Sequence, residues 1–153
     1  MQYRKLIKHF TALNTSELYE ILRVRQEVFV VEQSCAYLDV DEKDQHAFHL
    51  MFVDNHSRIL AYTRLLPEGI SYEGYISIGR VLTVEDIRAT GAGKAVMKQS
   101  LLACEELFGK KYPIKIGAQS YLLNFYQSFG FEIAGAEYIE DGIPHLHMIR
   151  RWS

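Results

Sequence analysis

One short segment constrains this chain more than any other. Arg88-Ala89-Thr90-Gly91-Ala92-Gly93 lies between a run of β-forming residues, Tyr75 to Val84, and a stretch from Gly93 to Phe108. In that stretch Met97, Leu101, Cys104 and Phe108 recur on one helical face. A strand, a glycine-rich turn and an amphipathic helix in this order put the unpaired first amides of the helix, and the positive end of its dipole, at the turn. Glycines let the backbone close around a phosphate with no Cβ in the way, and Arg88 and Lys94 add positive charge. The segment reads as an anion cradle, although a glycine pair by itself also fits an ordinary turn before a helix. Two nucleotide motifs are excluded by the letters. A P-loop needs glycine five positions before Gly93, where Arg88 stands, and Ser or Thr after Lys94, where Ala95 stands. A dinucleotide fingerprint needs a third glycine where Val96 stands, in the first βα unit and not after several strands.

The rest of the chain alternates strand and helix signals. A short strand is expected around Tyr3 to Lys8. Asn14 or Thr15 then caps a helix in which Leu18, Ile21, Leu22 and Phe29 recur near helical spacing. Ser34 to Asp44 carries Asp39, Asp41, Glu42, Lys43 and Asp44 with little periodicity, as an exposed loop or short helix bordering a site would. His46 to Val53 and Arg58 to Leu66 form a hairpin across Asp54-Asn55-His56-Ser57, and Gly79 within the next strand marks a bulge. After the long helix come a buried strand at Ile114 to Ala118, a short helix at Tyr121 to Ser128, a strand at Phe131 to Ala134 and a last one at His145 to Arg150. This order predicts the α/β class, an α+β mixed sheet with helices on both faces. No linker or repeat divides residues 1–153, and 48% hydrophobic with 24% charged residues suits a single domain with its own core.

Composition bounds the setting. No apolar run spans a bilayer, and Met1 to Phe10 alternates charged with apolar residues, so a soluble, unexported protein without a membrane partner is expected. Cys35 and Cys104 follow no disulfide or metal spacing, which points to a reducing cytoplasm. With 17 basic against 19 acidic residues the net charge is −2 and no basic stripe stands out, so nucleic acid is not an expected partner.

With these elements in order, Arg-x-x-Gly-x-Gly between a strand and an amphipathic helix resembles the acetyl-CoA pyrophosphate loop of the GNAT superfamily of N-acetyltransferases. The segment Gln119 to Phe131, ending Asn-Phe-Tyr-Gln-Ser-Phe-Gly-Phe, resembles that superfamily's second signature. Arg25 to Gln33 and Glu140 to His145 look like its ElaA-type branch, so the resemblance covers nearly the whole chain. It implies an acyl-CoA N-acyltransferase fold, with a central, mostly antiparallel mixed sheet between helices. It also implies an acetyl-CoA-dependent transfer to a small-molecule or peptide amine.

Carried over position by position, the resemblance sets Val81, Leu82 and Thr83 along the pantetheine arm, with the Val81 amide facing the thioester carbonyl as an oxyanion donor. Arg88, Ala89, Thr90, Gly91, Ala92, Gly93 and Lys94 would hold the pyrophosphate. Gln119 stands where members usually have an asparagine, and Asn124 reads as an exposed helix position. Tyr126 matches the tyrosine that protonates the leaving thiolate, though Leu122, Tyr126 and Phe129 also share a face on which they could simply pack. An alkyl amine of pKa about 10.4 needs a base before it attacks. Among His46, His49, Glu73 and His145, the preferred catalytic residues are His49 and His145, and Asp39, Asp41 and Asp44 would attract a cationic amine. Two other readings stand beside this one. One is a catalytically silent acyl-CoA-binding module acting through a partner. The other is a zinc protein using His46, His49, His145 and His147, disfavoured because His46 and His49 point to opposite faces of a strand, so no metal is expected. An exposed final strand would allow a homodimer.

Overall fold

The computed structural model describes residues 2–153. Among the described residues eight strands form two sheets. In the first, β1 (Arg4–His9), β2 (Phe48–Val53), β3 (Ile59–Leu66) and β4 (Ser77–Thr83) lie side by side in that order, all antiparallel. In the second, β8 (Ile143–Arg150) pairs antiparallel with β5 (Ile114–Gln119) on one side and with β6 (Glu132–Ile133) and β7 (Tyr138–Glu140) on the other. The sheets meet at one parallel contact between Ile76 and Ile114, where the Ile76 amide donates to Pro113 O at 3.1 Å and the Lys115 amide to Ile76 O at 2.9 Å. Beyond it β4 and β5 share no ladder, so each leaves an edge facing a cleft. The mixed, mostly antiparallel sheet is as expected, with the addition that it is split.

Helices cover both faces. α1 (Thr15–Arg25) opens with a capping box in which the Glu17 amide donates to Asn14 and the Asn14 amide to the Glu17 carboxylate. It continues as a π-wound segment, Gln26–Glu32. Ile21 and Val24 pack on Met51, Val53, Tyr62 and Leu82. α2 (Ala92–Phe108) buries Val96, Met97, Ala103 and Cys104 against Leu50, Phe52 and Leu65 on the opposite face. Successive residues of β2 thus serve different cores, which explains why its run reads as continuously apolar instead of alternating. α3 (Leu123–Gln127) follows a 3₁₀ turn at Ser120–Leu122 and lies against β5.

Three expectations about the C-terminal third are corrected. The strand at Phe131 to Ala134 shrinks to two residues, and β7, unexpected, forms a hairpin with β8 across Asp141 and Gly142, both at positive φ. Asp-Gly is a hairpin signal of the primed turns, and it lay unused inside the Glu140 to His145 motif. The last strand, beginning two residues earlier at Ile143, has neighbours on both sides. It offers no open edge for the pairing of subunits that an exposed final strand would have allowed.

Candidate active site

A cavity of about 550 Å³ fills the cleft where the sheets part. One wall is β4 from Ile78 to Thr83, the other Ile116, Gly117 and Gln119 of β5. The wall formed by β4 is irregular. Leu82 faces Tyr62 and Gly79 faces Arg64, so Arg80 and Val81 together oppose Thr63, a bulge immediately after the glycine that marked it. Arg80 itself carries the positive φ, +50°, a conformation that costs a side-chain-bearing residue about 1–3 kcal/mol. Val81, in the bulge, is freed from the regular ladder with β3 while its strand has no partner on the cavity side.

At the outer end of β4 the glycine-rich segment turns into α2. Gly91, at φ +89°, is the N-cap of α2 and supplies no side-chain cap. The amides of Arg88 and Thr90 are used in turns, but those of Ala89, Gly91, Ala92, Gly93 and Lys94 find no backbone acceptor among the described residues. These are groups that an anion can satisfy. Arg88 and Gly93 line the cavity, and the remaining residues of the segment lie outside its wall. Arg88 is already engaged: its guanidinium donates to Thr83 O at 2.8 and 3.0 Å and pairs with Glu32 at 2.7 Å. Gln119 lines the opposite wall and exchanges amide hydrogen bonds of 3.3 and 3.5 Å with Gln33, so the end of the π-wound segment touches both sides of the cleft.

Tyr126, on α3, reaches the cavity while its ring packs edge-on against Phe125 and Phe131. Burial drives its phenol pKa up, and no hydrogen bond opposes the shift, so the proton stays on the oxygen. Asn124 is exposed, as read. His145 closes the other end, 8% exposed, with Tyr138 stacked on its ring. Its Nδ1 lies 2.7 Å from Ile143 O. A carbonyl only accepts, so Nδ1 carries a proton and the neutral ring has its lone pair on Nε2, which lies 3.7 Å from Glu140 Oε2. A hydroxyl donor, an imidazole, an open strand edge and the Gly93 amide thus line one cavity, with the other free amides just outside its wall.

His49 is not brought to it. The ring is fully buried between sheet and α1, with Nε2 donating to Asp44 O at 3.0 Å and Nδ1 accepting from the Tyr62 hydroxyl at 2.6 Å. Burial pushes its pKa down to about 4, helped by the charges of Arg25 and Arg64. With both nitrogens occupied it is a core residue, neither a base nor a zinc ligand. Among the described residues no three His, Cys, Asp or Glu side chains converge on a metal site. The acidic loop is likewise no lure for amines. Asp39 and Asp44 are buried, and with Asp41 they bind Arg25, Arg64 and Arg80 at 2.6 to 3.4 Å. Burial alone would raise the Asp44 carboxyl, but the two arginines hold it below the ordinary range. Glu32, Gln33, Tyr37 and Arg80 line the cavity without having been named as site residues; Glu32 and Gln33 end the Arg25 to Gln33 stretch that carried the resemblance, and Arg80 follows the strand glycine.

Known proteins share this arrangement. The family model for the acetyltransferase (GNAT) domain matches residues 14–151. The ElaA protein of Escherichia coli is 40% identical over 144 residues, covering 93% of this chain and 92% of that protein. The crystal structure of E. coli ElaA superposes with a TM-score of 0.90 at 37% identity, over 98% of this chain and all of that one. An acyl-CoA N-acyltransferase from Pseudomonas aeruginosa also gives 0.90, at 38% identity over 97% and 99%. Among the described residues no helix is long and apolar enough to cross a membrane.

Proposed function

This chain belongs to the GNAT acetyltransferase family, in its ElaA-type branch, and we propose that it moves the acetyl group of acetyl-CoA directly to a primary amine. What carries the reading is the single cavity lined by the open β4 edge, Gly93 at the start of α2, Tyr126 and His145. Acetyl-CoA supplies the acyl group as a thioester, and its pyrophosphate suits the free amides of Ala89, Gly91, Ala92, Gly93 and Lys94, with Arg88 and Lys94 adding charge. The backbone of Val81, Leu82 and Thr83 pairs with the pantetheine arm as a strand would. The Val81 amide, preorganised by the bulge, donates to the thioester oxygen as negative charge develops there. His145 Nε2 takes a proton from the incoming ammonium, directly or through water, while Nδ1–H stays on Ile143 O and keeps the ring in the basic tautomer. Tyr126 returns a proton to the leaving sulfur. A phenol is a weaker acid than a thiol in water, so the transfer relies on the same dry surroundings raising the basicity of the thiolate. Both cysteines are free, in keeping with the cytoplasm as the place of action.

The alternative, a silent acyl-CoA-binding module, leaves the free Tyr126 hydroxyl and the fixed His145 tautomer without a purpose. Release of the CoA thiol, followed with a panel of small amines and lysine-bearing peptides, separates the two. Transfer predicts turnover with at least one amine, and Tyr126→Phe lowering kcat about a hundredfold with the acetyl-CoA Kd unchanged. Tight acetyl-CoA binding with no turnover on any amine would establish the silent module instead.

A further inference from the structure

The positive φ in the β4 bulge falls on Arg80 although a glycine, which would bear it without strain, stands one residue earlier. A strained backbone persists only where its surroundings over-determine it. Here the surroundings are specific. Arg80 Nε donates to Asp39 Oδ1 at 2.8 Å, and Nη2 donates to Asp39 O at 2.8 Å and to Asp41 Oδ2 at 3.4 Å. Its guanidinium lies 5.8 Å above the centre of the Tyr37 ring. Asp39 is anchored in turn by Arg25 of α1, at 2.8 Å, and by the Tyr37 hydroxyl, at 3.0 Å. Asp41 receives two bonds, of 2.8 and 2.9 Å, from Arg64, the β3 residue paired with Gly79 at the edge of the bulge. The two carboxylates therefore fasten the strands on both sides of the bulge, and α1, to one loop.

We propose that Arg80, clamped by Asp39 and Asp41, is the positioning residue that holds the β4 bulge and so aims the neighbouring Val81 amide into the cavity. The proposal rests on the acetyl-transfer reading for its kinetic consequence but not for its structural one. The cradle for the pyrophosphate belongs to a different segment, so loss of the clamp misplaces the oxyanion donor and spares cofactor binding. Displacing a catalytic group by about 1 Å, or deleting one oxyanion donor, costs about a hundredfold in rate.

Three substitutions separate the side-chain anchor from the backbone preference. In Arg80→Ala both are lost, and kcat with the best amine falls about a hundredfold while the acetyl-CoA Kd stays within about threefold. Arg80→Gly loses the anchor but accepts the φ, and falls roughly tenfold by the same reasoning. Arg80→Lys, which keeps one charge-assisted bond, recovers part of the alanine loss. A second readout needs no acceptor: the Val81 amide resonance shifts when acetyl-CoA is added to the wild-type protein, and that shift is lost in Arg80→Ala with binding retained. Unchanged kcat in Arg80→Ala, or equal losses of kcat and cofactor affinity in both Arg80→Ala and Arg80→Gly, overturns the assignment. If Arg80→Ala does not fold, Arg80→Gly decides on the same criteria. If wild-type protein turns over no amine, the transfer reading fails, and the Val81 resonance alone decides for or against Arg80.

Discussion

Lowering the pH should destabilise this protein through His49 before its carboxylates protonate. The folded ring holds one proton, on Nε2, and its Nδ1 is the acceptor for the Tyr62 hydroxyl. Adding a second proton sets a charge in a fully buried site beside Arg25 and Arg64, which is why the folded pKa drops to about 4, against 6.5 for a free imidazole. The depressed value means that the unfolded chain binds the proton first. The stability from His49 is complete above the unfolded pKa and is lost as the pH falls towards the folded one. Between pH 7.5 and 5 the difference in proton binding amounts to about 2 kcal/mol, and it approaches roughly 3 kcal/mol below pH 4. Asp41 and Asp44, whose carboxyls burial opposes but whose arginines hold low, keep their contribution above the unfolded carboxylate pKa and lose it only as the pH falls through their folded values. Their window therefore lies below this one. Urea unfolding followed by the fluorescence of Trp152, the single tryptophan, at the two pH values for wild type and His49→Gln isolates the term. The variant is less stable at pH 7.5, since Tyr62 loses its partner, but wild type should lose about 2 kcal/mol more than the variant on acidification. Equal losses would refute the reasoning, because His147, also lowered by burial, titrates in both proteins and cancels.

Two substitutions test the ends of the cavity. Gly91→Glu puts a side chain on a backbone at φ +89° and a carboxylate where the pyrophosphate should sit, so the acetyl-CoA Kd should rise at least about tenfold by calorimetry. Unchanged affinity would sink the cradle. His145→Gln should cost about a hundredfold or more in kcat near neutrality, and the loss should shrink as the pH approaches the amine pKa of about 10.4 and free amine forms unaided. A loss that is the same at every pH would deny His145 the role of base.

The parts of this site that could be read in the sequence are the parts built by neighbouring residues. The cradle is a strand, two glycines and a helix start, a contiguous backbone device, and the structure leaves its amides free where the letters said it would. Tyr126 was legible for the same reason, because a short helix fixes its position relative to Gly130 and Phe131. His49 misled because a histidine at the start of a β run looks alike whether it faces a cleft or a core. The discriminating signal was its company: Leu50 to Val53 are apolar on both faces, so the strand is covered on both sides and a polar residue within it must be satisfied internally.

The acidic loop failed for a complementary reason, and the failure explains how the two ends of the site differ. Asp39, Asp41 and Asp44 pair with arginines 14 to 41 positions away, on α1, β3 and β4, and nothing in the spacing of three aspartates announces such partners. Charge in a loop ordinarily meets water. Here the three carboxylates and three guanidiniums cancel within the fold, so the loop presents a truss and not a negative field to whatever enters the cavity. The acids that line the cavity near His145 are instead Glu140, at the end of β7, and Asp141, in the hairpin turn that follows. The cofactor end is thus held by local backbone and the acceptor end by side chains that only tertiary structure brings together. Substitutions among Arg25, Arg64 and Arg80 should accordingly alter catalytic geometry from positions that no contiguous motif contains.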